Sequence, residues 1–326
     1  AREMERATES SGAGEDKVMD VRFWSEHHAN ELQLVAFSVA SSVLMIAEAA
    51  RAFVSSGGID VCVSVVSSPN DRVRSSCLRT CIAVCSPALV AAEDGSHSLV
   101  LLEPDPAVAF VQSGFVPYLI SLAQRQLSLV QRDALTLLAL LCKVDAPAPG
   151  EVQAQGEDVR VSGREALVAA GREDEQRSGG VYALLCLLND SVGGEVTTLA
   201  AVIDCLWSAV SPTFGHVIVR ELEGEDGSVM RETVSPALDS FIGNNGPELL
   251  LWLLQEGDPL LRGQLVGCLS DMMRCTQVRD VVGGWLSPQG EQSALQVVLQ
   301  CWREDELARE APGLEGDVDE DRKSVV

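Results

Sequence analysis

Cys77, Cys81 and Cys85 recur every four residues, so on a helix they share one face, and three sulfurs so placed could ligate a soft metal. No CxxC pair and no partner histidine accompanies them, and real zinc spacings are specific. These cysteines are therefore read as small apolar core residues, as are Cys268 and Cys275, and neither a metal nor a cofactor is expected. The four histidines offer little more. His27 and His28 are adjacent and point to different faces of any helix, while His97 and His216 stand alone, and none has a Cys or carboxylate at metal-ligand spacing. Glu221, Glu223, Glu225 and Asp226 bring carboxylates together without the ligand register or central Gly of a calcium loop, so they read as a solvated loop. No P-loop, GxGxxG, GxSxG or HExxH pattern occurs. No catalytic residue is assigned, no small-molecule substrate is expected, and the chain is read as non-enzymatic.

The elements around these residues follow from composition and period. Of 326 residues, 46% are apolar but only 4% aromatic. Leu, Val and Ala therefore dominate the core, which suits helix packing. Acidic side chains outnumber basic ones by 48 to 24, giving a net charge of -24. Phosphate backbones and anionic lipid surfaces recruit Lys and Arg, so neither nucleic acid nor membrane is an expected partner. The longest uncharged apolar run, Leu34 to Ala47, is shorter than the roughly 20 residues a bilayer needs. Ten cysteines are too dilute for a disulfide scaffold and imply a reducing, cytoplasmic setting.

Internal repetition organises the chain. Four segments align without gaps at offsets of 57, 122 and 188 residues, covering 53–85, 110–142, 175–207 and 241–273. Phe53-Val54 matches Phe110-Val111, and Cys85 matches Cys142. Each copy carries two apolar stripes at i, i+3, i+4, i+7 spacing, which predicts two helices. Equivalent sets in the earlier stripe include Ile59, Val116, Val181 and Pro247, then Cys62, Leu119, Leu184 and Leu250. The later stripe includes Cys77, Ala134, Leu199 and Leu265, then Cys81, Leu138, Ile203 and Leu269. Gly57, Gly114, Gly179 and Asn245 share one slot before the first of these helices, where a left-handed residue would end a shorter preceding helix.

A short helix, a Gly turn, a helix, a polar turn and a longer helix resemble the armadillo repeat. The resemblance implies an all-α, right-handed solenoid of armadillo (ARM/HEAT-like) repeats spanning 30–303. A polar segment or degraded repeat, 1–29, would precede it and an acidic tail, 304–326, would follow. A weaker copy is expected at Leu32, Ala36, Phe37, Ala40 and Val43, and a degraded one at Val281, Trp285, Leu295, Val298 and Leu299. Inserts at 87–109, 144–177 and 220–240 combine Gly, Pro and acidic residues and are expected to be loops. Neither end has an obvious polar cap, so further repeats or neighbouring subunits are expected to cover the terminal layers.

Armadillo proteins bind partners in a groove lined by the last helix of each repeat. The Trp and Asn ladder of nuclear-import receptors is missing here, because its slots hold Arg79 and Ala83, Thr136 and Leu140, Ala201 and Cys205, Gly267 and Asp271. On the resemblance, Arg72, Arg79, Arg132, Thr136 and Gln264 are the candidate groove residues. Arg72, Arg74, Arg79 and Arg132 would form a small basic patch, or equally a solvated helix face. From LLLWLL through LRGQLVGCLSDMM and Trp285 to SALQVVLQCWREDE, the chain resembles the armadillo region of the cilia- and flagella-associated protein 69 family. That resemblance implies a structural component of the motile cilium or flagellum axoneme at its central apparatus, with axonemal subunits as partners. The alternative reading is a soluble cytosolic adaptor that reversibly binds one peptide or client. Residues 145–177, 220–232 and 304–321 together hold -15 of the net charge, so the acidity is concentrated in inserts and tail and suits basic patches on neighbouring proteins.

Overall fold

The computed structural model describes residues 14–91, 97–103, 105–125, 128–147, 160–170, 179–212, 218–223 and 229–310. Among them the architecture is all-α, with helices stacked in three-helix layers and three two-stranded hairpins. The chain divides into two compact units, 1–244 and 245–326.

The first unit opens with α1 (Gly14–Val43). Its first full layer is α2 (Ala47–Ser55), α3 (Gly58–Val65) and α4 (Asp71–Cys85). The second is α5 (Pro106–Gln112), α6 (Phe115–Ala123) and α7 (Ser128–Leu141). The third is α8 (Gly163–Ala169), α9 (Gly180–Asp190) and α10 (Val196–Val210), against which α11 (Pro236–Gly243) packs. Local chemistry starts these helices. Asn70 Oδ1 accepts from the Arg72 and Val73 amides, Asp105 Oδ1 from Ala107, and Ser235 Oγ from Leu238, each satisfying donors a helix start leaves free. The shared turn slot is left-handed at Gly57 (φ 81°), Gly114 (φ 73°) and Asn245 (φ 58°). Gly179 departs from it, with φ 150° and ψ 152°.

The second unit contains α12 (Gly246–Glu256), a 3-10 turn at Pro259–Leu261, α13 (Arg262–Met272), α14 (Thr276–Gly284) and α15 (Ala294–Glu310). The unit boundary thus cuts the fourth sequence repeat between its first and second helices. Arg262 Nη2 lies 2.8 Å from Glu304 Oε2, and Gln300 Nε2 donates to Glu304 Oε1 at 2.9 Å. These two contacts, Gln300 first, hold the Glu304 carboxyl below its ordinary pKa.

The predicted helical faces are buried. Val116, Leu119, Ile120, Leu122 and Ala123 pack in the second layer, and Val181, Leu184, Leu185, Leu187 and Leu188 take the same slots in the third. The first layer fills them less completely: Ile59, Cys62 and Val66 are buried, while Val63 and Val65 are half-buried.

Four expectations change. The inserts are not wholly loops. Ala88–Ala91 (β1) pairs with His97–Val100 (β2), Asp145–Pro147 (β3) with Arg160–Ser162 (β4), and Ile218–Glu223 (β5) with Val229–Val234 (β6), all antiparallel. The β5–β6 register sets Arg220 opposite Glu232 and Glu221 opposite Arg231, opposite charges on facing positions. Second, the weak copy before the first repeat buries only Phe37, leaving Leu32 71% and Val43 44% exposed. α1 packs on α4 along one side, and Leu32, Val35, Val39 and Val43 stay exposed on it. Third, the degraded final copy has a different register. α15 buries Ala294, Val297 and Cys301 against α12, with Cys301 Sγ donating to Leu254 O, so Leu295 and Leu299 turn outward. Fourth, the polar segment and acidic tail are partly helical, because α1 begins at Gly14 and α15 continues to Glu310.

Candidate protein-binding surface

The last helices α1, α4, α7 and α10 lie side by side in the first unit. Polar contacts tie adjacent members together. Thr80 Oγ1 donates to Phe37 O at 3.1 Å, joining α4 to α1. Between α4 and α7, the buried Asp133 carboxylate accepts from Ser75 Oγ at 2.6 Å and from Arg79 Nε at 3.0 Å. Tyr118 OH donates to Val66 O at 2.9 Å and links α6 to α3 in the same way.

These contacts alter the candidate groove. Arg79 is half exposed but bound to Asp133, which lies beneath it. Arg72 is exposed and sits 3.8 Å from Glu31 on α1. Arg74 leaves the patch altogether. It is 4% exposed, donates from Nε and Nη2 to Ser68 O, and pairs with Asp71 at 2.8 Å, closing the turn that starts α4. Arg132 is half-buried, and Thr136 is exposed with its hydroxyl returned to Arg132 O on its own helix. Of the four arginines, Arg72 and Arg79 thus reach carboxylates on neighbouring helices, and Arg74 reaches one on its own. Gln264 lies on α13, in the other unit. Of the ladder slots, Arg79 and Thr136 face solvent, whereas Cys205 is fully buried.

Asp133 was not among the sequence candidates. A carboxylate at the head of the largely apolar run Ala134 to Leu141, beside a core slot of the repeat, was the available signal.

Two exposed apolar stripes are the larger surface feature. On α1, Leu32, Val35, Val39 and Val43 follow helical spacing and are 71, 60, 57 and 44% exposed. On α15, Leu295, Leu299 and Trp302 repeat at i, i+4, i+7 and are 68, 45 and 61% exposed. A cavity of about 340 Å³ also lies between α6 and α9. Among the described residues, Ile120, Gln124, Tyr182 and Cys186 are part of its lining.

The residues first considered for chemistry are scattered. His28 is exposed on α1, and His97 stands in β2 opposite Ala91. His216, Glu225 and Asp226 lie outside the described residues, while Glu221 and Glu223 are in β5 rather than a loop. Cys85 does not join Cys77 and Cys81. Their sulfurs cluster instead with Cys62 of α3, all three within 4.8 Å of one another. No single helix among the described residues is long and apolar enough to cross a membrane.

No protein-family model matches the chain, and no curated protein does. Among solved structures it is similar to an engineered protein, with 17% identity, TM-score 0.49, and coverage of 84% of this chain and 92% of that one. It is also similar to a designed armadillo repeat protein in complex with the peptide (KR)4, at 11% identity and TM-score 0.48, covering 84% and 98% of the two chains. Computationally designed armadillo repeat proteins for modular peptide recognition give 11% identity and TM-score 0.47, with the same coverage.

Proposed function

We propose that this protein is a non-enzymatic scaffold that binds other proteins. The apolar stripes on α1 and α15 carry the reading. Contiguous apolar side chains held in water are costly, and such patches are the ones that proteins cover. Helical layers stacked by repetition also leave long surfaces that bind without catalytic machinery. Trp302 adds a large, exposed aromatic of the kind that anchors interfaces.

The narrower proposal places the scaffold in the cytoplasm, as a structural component of the motile cilium or flagellum, at the central apparatus of the axoneme. Its support is the resemblance running from α12 through α13 and Trp285 into α15. Axonemal subunits would then cover the stripes on α1 and α15. Proximity labelling of the tagged chain in ciliated and non-ciliated cells tests this. Axonemal proteins should be enriched only in ciliated cells, and Trp302→Ala should remove part of that set. Recovery of soluble cytosolic partners alone, unchanged in Trp302→Ala, would sink the ciliary reading and leave the reversible cytosolic adaptor.

A further inference from the structure

We propose that Cys62, Cys77 and Cys81 form a buried three-sulfur site for one cuprous ion. The inference is independent of the scaffold reading, because it concerns the interior of the first layer.

Geometry comes first. The three sulfurs come from two helices, Cys62 from α3 and Cys77 with Cys81 from successive turns of α4, and lie within 4.8 Å of one another. Each residue is 0% exposed. Three sulfurs around a metal at about 2.3 Å stand roughly 4 Å apart, so filling the site asks for a small inward movement of side chains. Cys77 Sγ already donates to Cys62 O at 3.3 Å, holding the α3 and α4 backbones close.

The repeat supplies a second, separate observation. The slot of Cys62 holds Leu119, Leu184 and Leu250 in the other copies; that of Cys77 holds Ala134, Leu199 and Leu265; and that of Cys81 holds Leu138, Ile203 and Leu269. All nine equivalents are aliphatic. Three touching slots become cysteine together, in one layer only. A core that needed small hydrophobes would be served by Ala or Val at these places, as Ala134 serves in the second layer.

Donor chemistry then selects the ion. The cluster contains only thiols, and thiolates select soft ions such as Cu(I), Zn(II) and iron–sulfur clusters. Zinc is almost always four-coordinate, closing its shell with a fourth side chain or a water. Among the described residues no histidine or carboxylate joins the group, and all three cysteines are fully buried. Three soft sulfurs with no fourth donor suit an ion content with three-coordination. The thiols are also linked in their protonation. Hydrogen bonds from Cys77 and Cys81 favour the Cys62 thiolate and lower its pKa, while the bond to Cys62 and burial push the other two up. On binding, each ligating thiol releases its proton to solvent and copper remains Cu(I), so no oxidant or reductant is required. Because closure of α3 onto α4 assembles the ligands, metal binding and folding of this layer are coupled.

The test uses the full chain, purified reduced and metal-free under anaerobic conditions. Cu(I) is supplied as its acetonitrile complex against a chromophoric Cu(I) chelator, and the loaded protein is examined by X-ray absorption. One Cu(I) per chain should be withdrawn from the chelator, with a first shell of three sulfurs and no nitrogen or oxygen. Cys62→Ala and Cys81→Ala should each weaken binding by more than the roughly 10- to 100-fold typical of second-shell changes. Cys268→Ala, a buried cysteine in the other unit, should bind as the parent does. Absorption on the unmutated chain needs no variant, so a cluster variant that fails to fold does not spare the proposal. Failure to compete with the chelator, equal binding by Cys81→Ala, or a shell that includes oxygen or nitrogen would each overturn it. So would zinc held as tightly as Cu(I), which would show that the site completes a fourth ligand.

Discussion

The first and second layers share a backbone and differ in what fills it. In the second, Leu119, Ala134 and Leu138 meet between α6 and α7, completely buried. In the first, Cys62, Cys77 and Cys81 meet between α3 and α4 at the equivalent slots, and Val63 and Val65 beside them stay half-buried. The turn ahead of each pair is the same left-handed glycine, Gly57 or Gly114. The same layer geometry therefore accommodates less aliphatic surface at these slots, where three thiols stand in place of two leucines and an alanine.

Truncation at matched slots tests that contrast most severely. Leu138→Ala removes a fully buried isobutyl group and should cost about 3 kcal/mol. Cys81→Ala in the reduced, metal-free chain should cost only about 1 kcal/mol, because little apolar area is lost. Urea unfolding, with hydrogen exchange of α4 and α7 amides to place the loss, measures both. Equal costs would mean the two layers are cohesive for the same reason, and the contrast would fall.

The join between the layers comes next. Asp133→Ala strips two acceptor contacts from Ser75 and Arg79 and should destabilise by about 2 kcal/mol. Half-exposed Arg79 contributes the lesser part, since water replaces Asp133 as its partner. Arg79→Ala should thus be milder than Asp133→Ala in the same urea experiment. The reverse order would make the surface ion pair, not the buried hydroxyl contact, the chief link.

The smallest effect concerns the backbone the layers share. Gly57→Ala and Gly114→Ala should each cost about 1 kcal/mol, read as a drop in thermal midpoint. A Cβ would meet only Asp60 Oδ2 at 3.8 Å in one case and nothing within 4 Å in the other. The cost is conformational, so the two should agree; a clear difference would show that the turns are not equivalent.

Much of this was legible beforehand. The helical faces, and the left-handed turn at three of its four positions, carried over to the structure, because each depends on neighbours within a few residues. The hairpins were missed although a signal was present. Glu93-Asp94-Gly95-Ser96 and Glu225-Asp226-Gly227-Ser228 each lie between segments that pair as strands, and Asp-Gly between alternating apolar residues favours a hairpin. Their acidity masked the alternation. Arg74 was misplaced for another reason: its helical position points toward the turn, and the Ser68 carbonyl that accepts it is six residues away on a folded-back chain.

Sequence alone determined the layer: which residues form helices, which stripe turns inward, and where the chain turns. Those choices follow from period, capping and backbone conformation, which are local. Tertiary structure alone decided what meets across layers and helices. Cys62 was placed on the correct face by its period, but its approach to Cys77 and Cys81 requires α3 and α4 to close on one another. Asp133 became a link only when α4 packed beside α7, and α15 took its buried face from α12 rather than from its own pattern. Contacts of that kind arise from packing two surfaces, and no single stretch of sequence contains both.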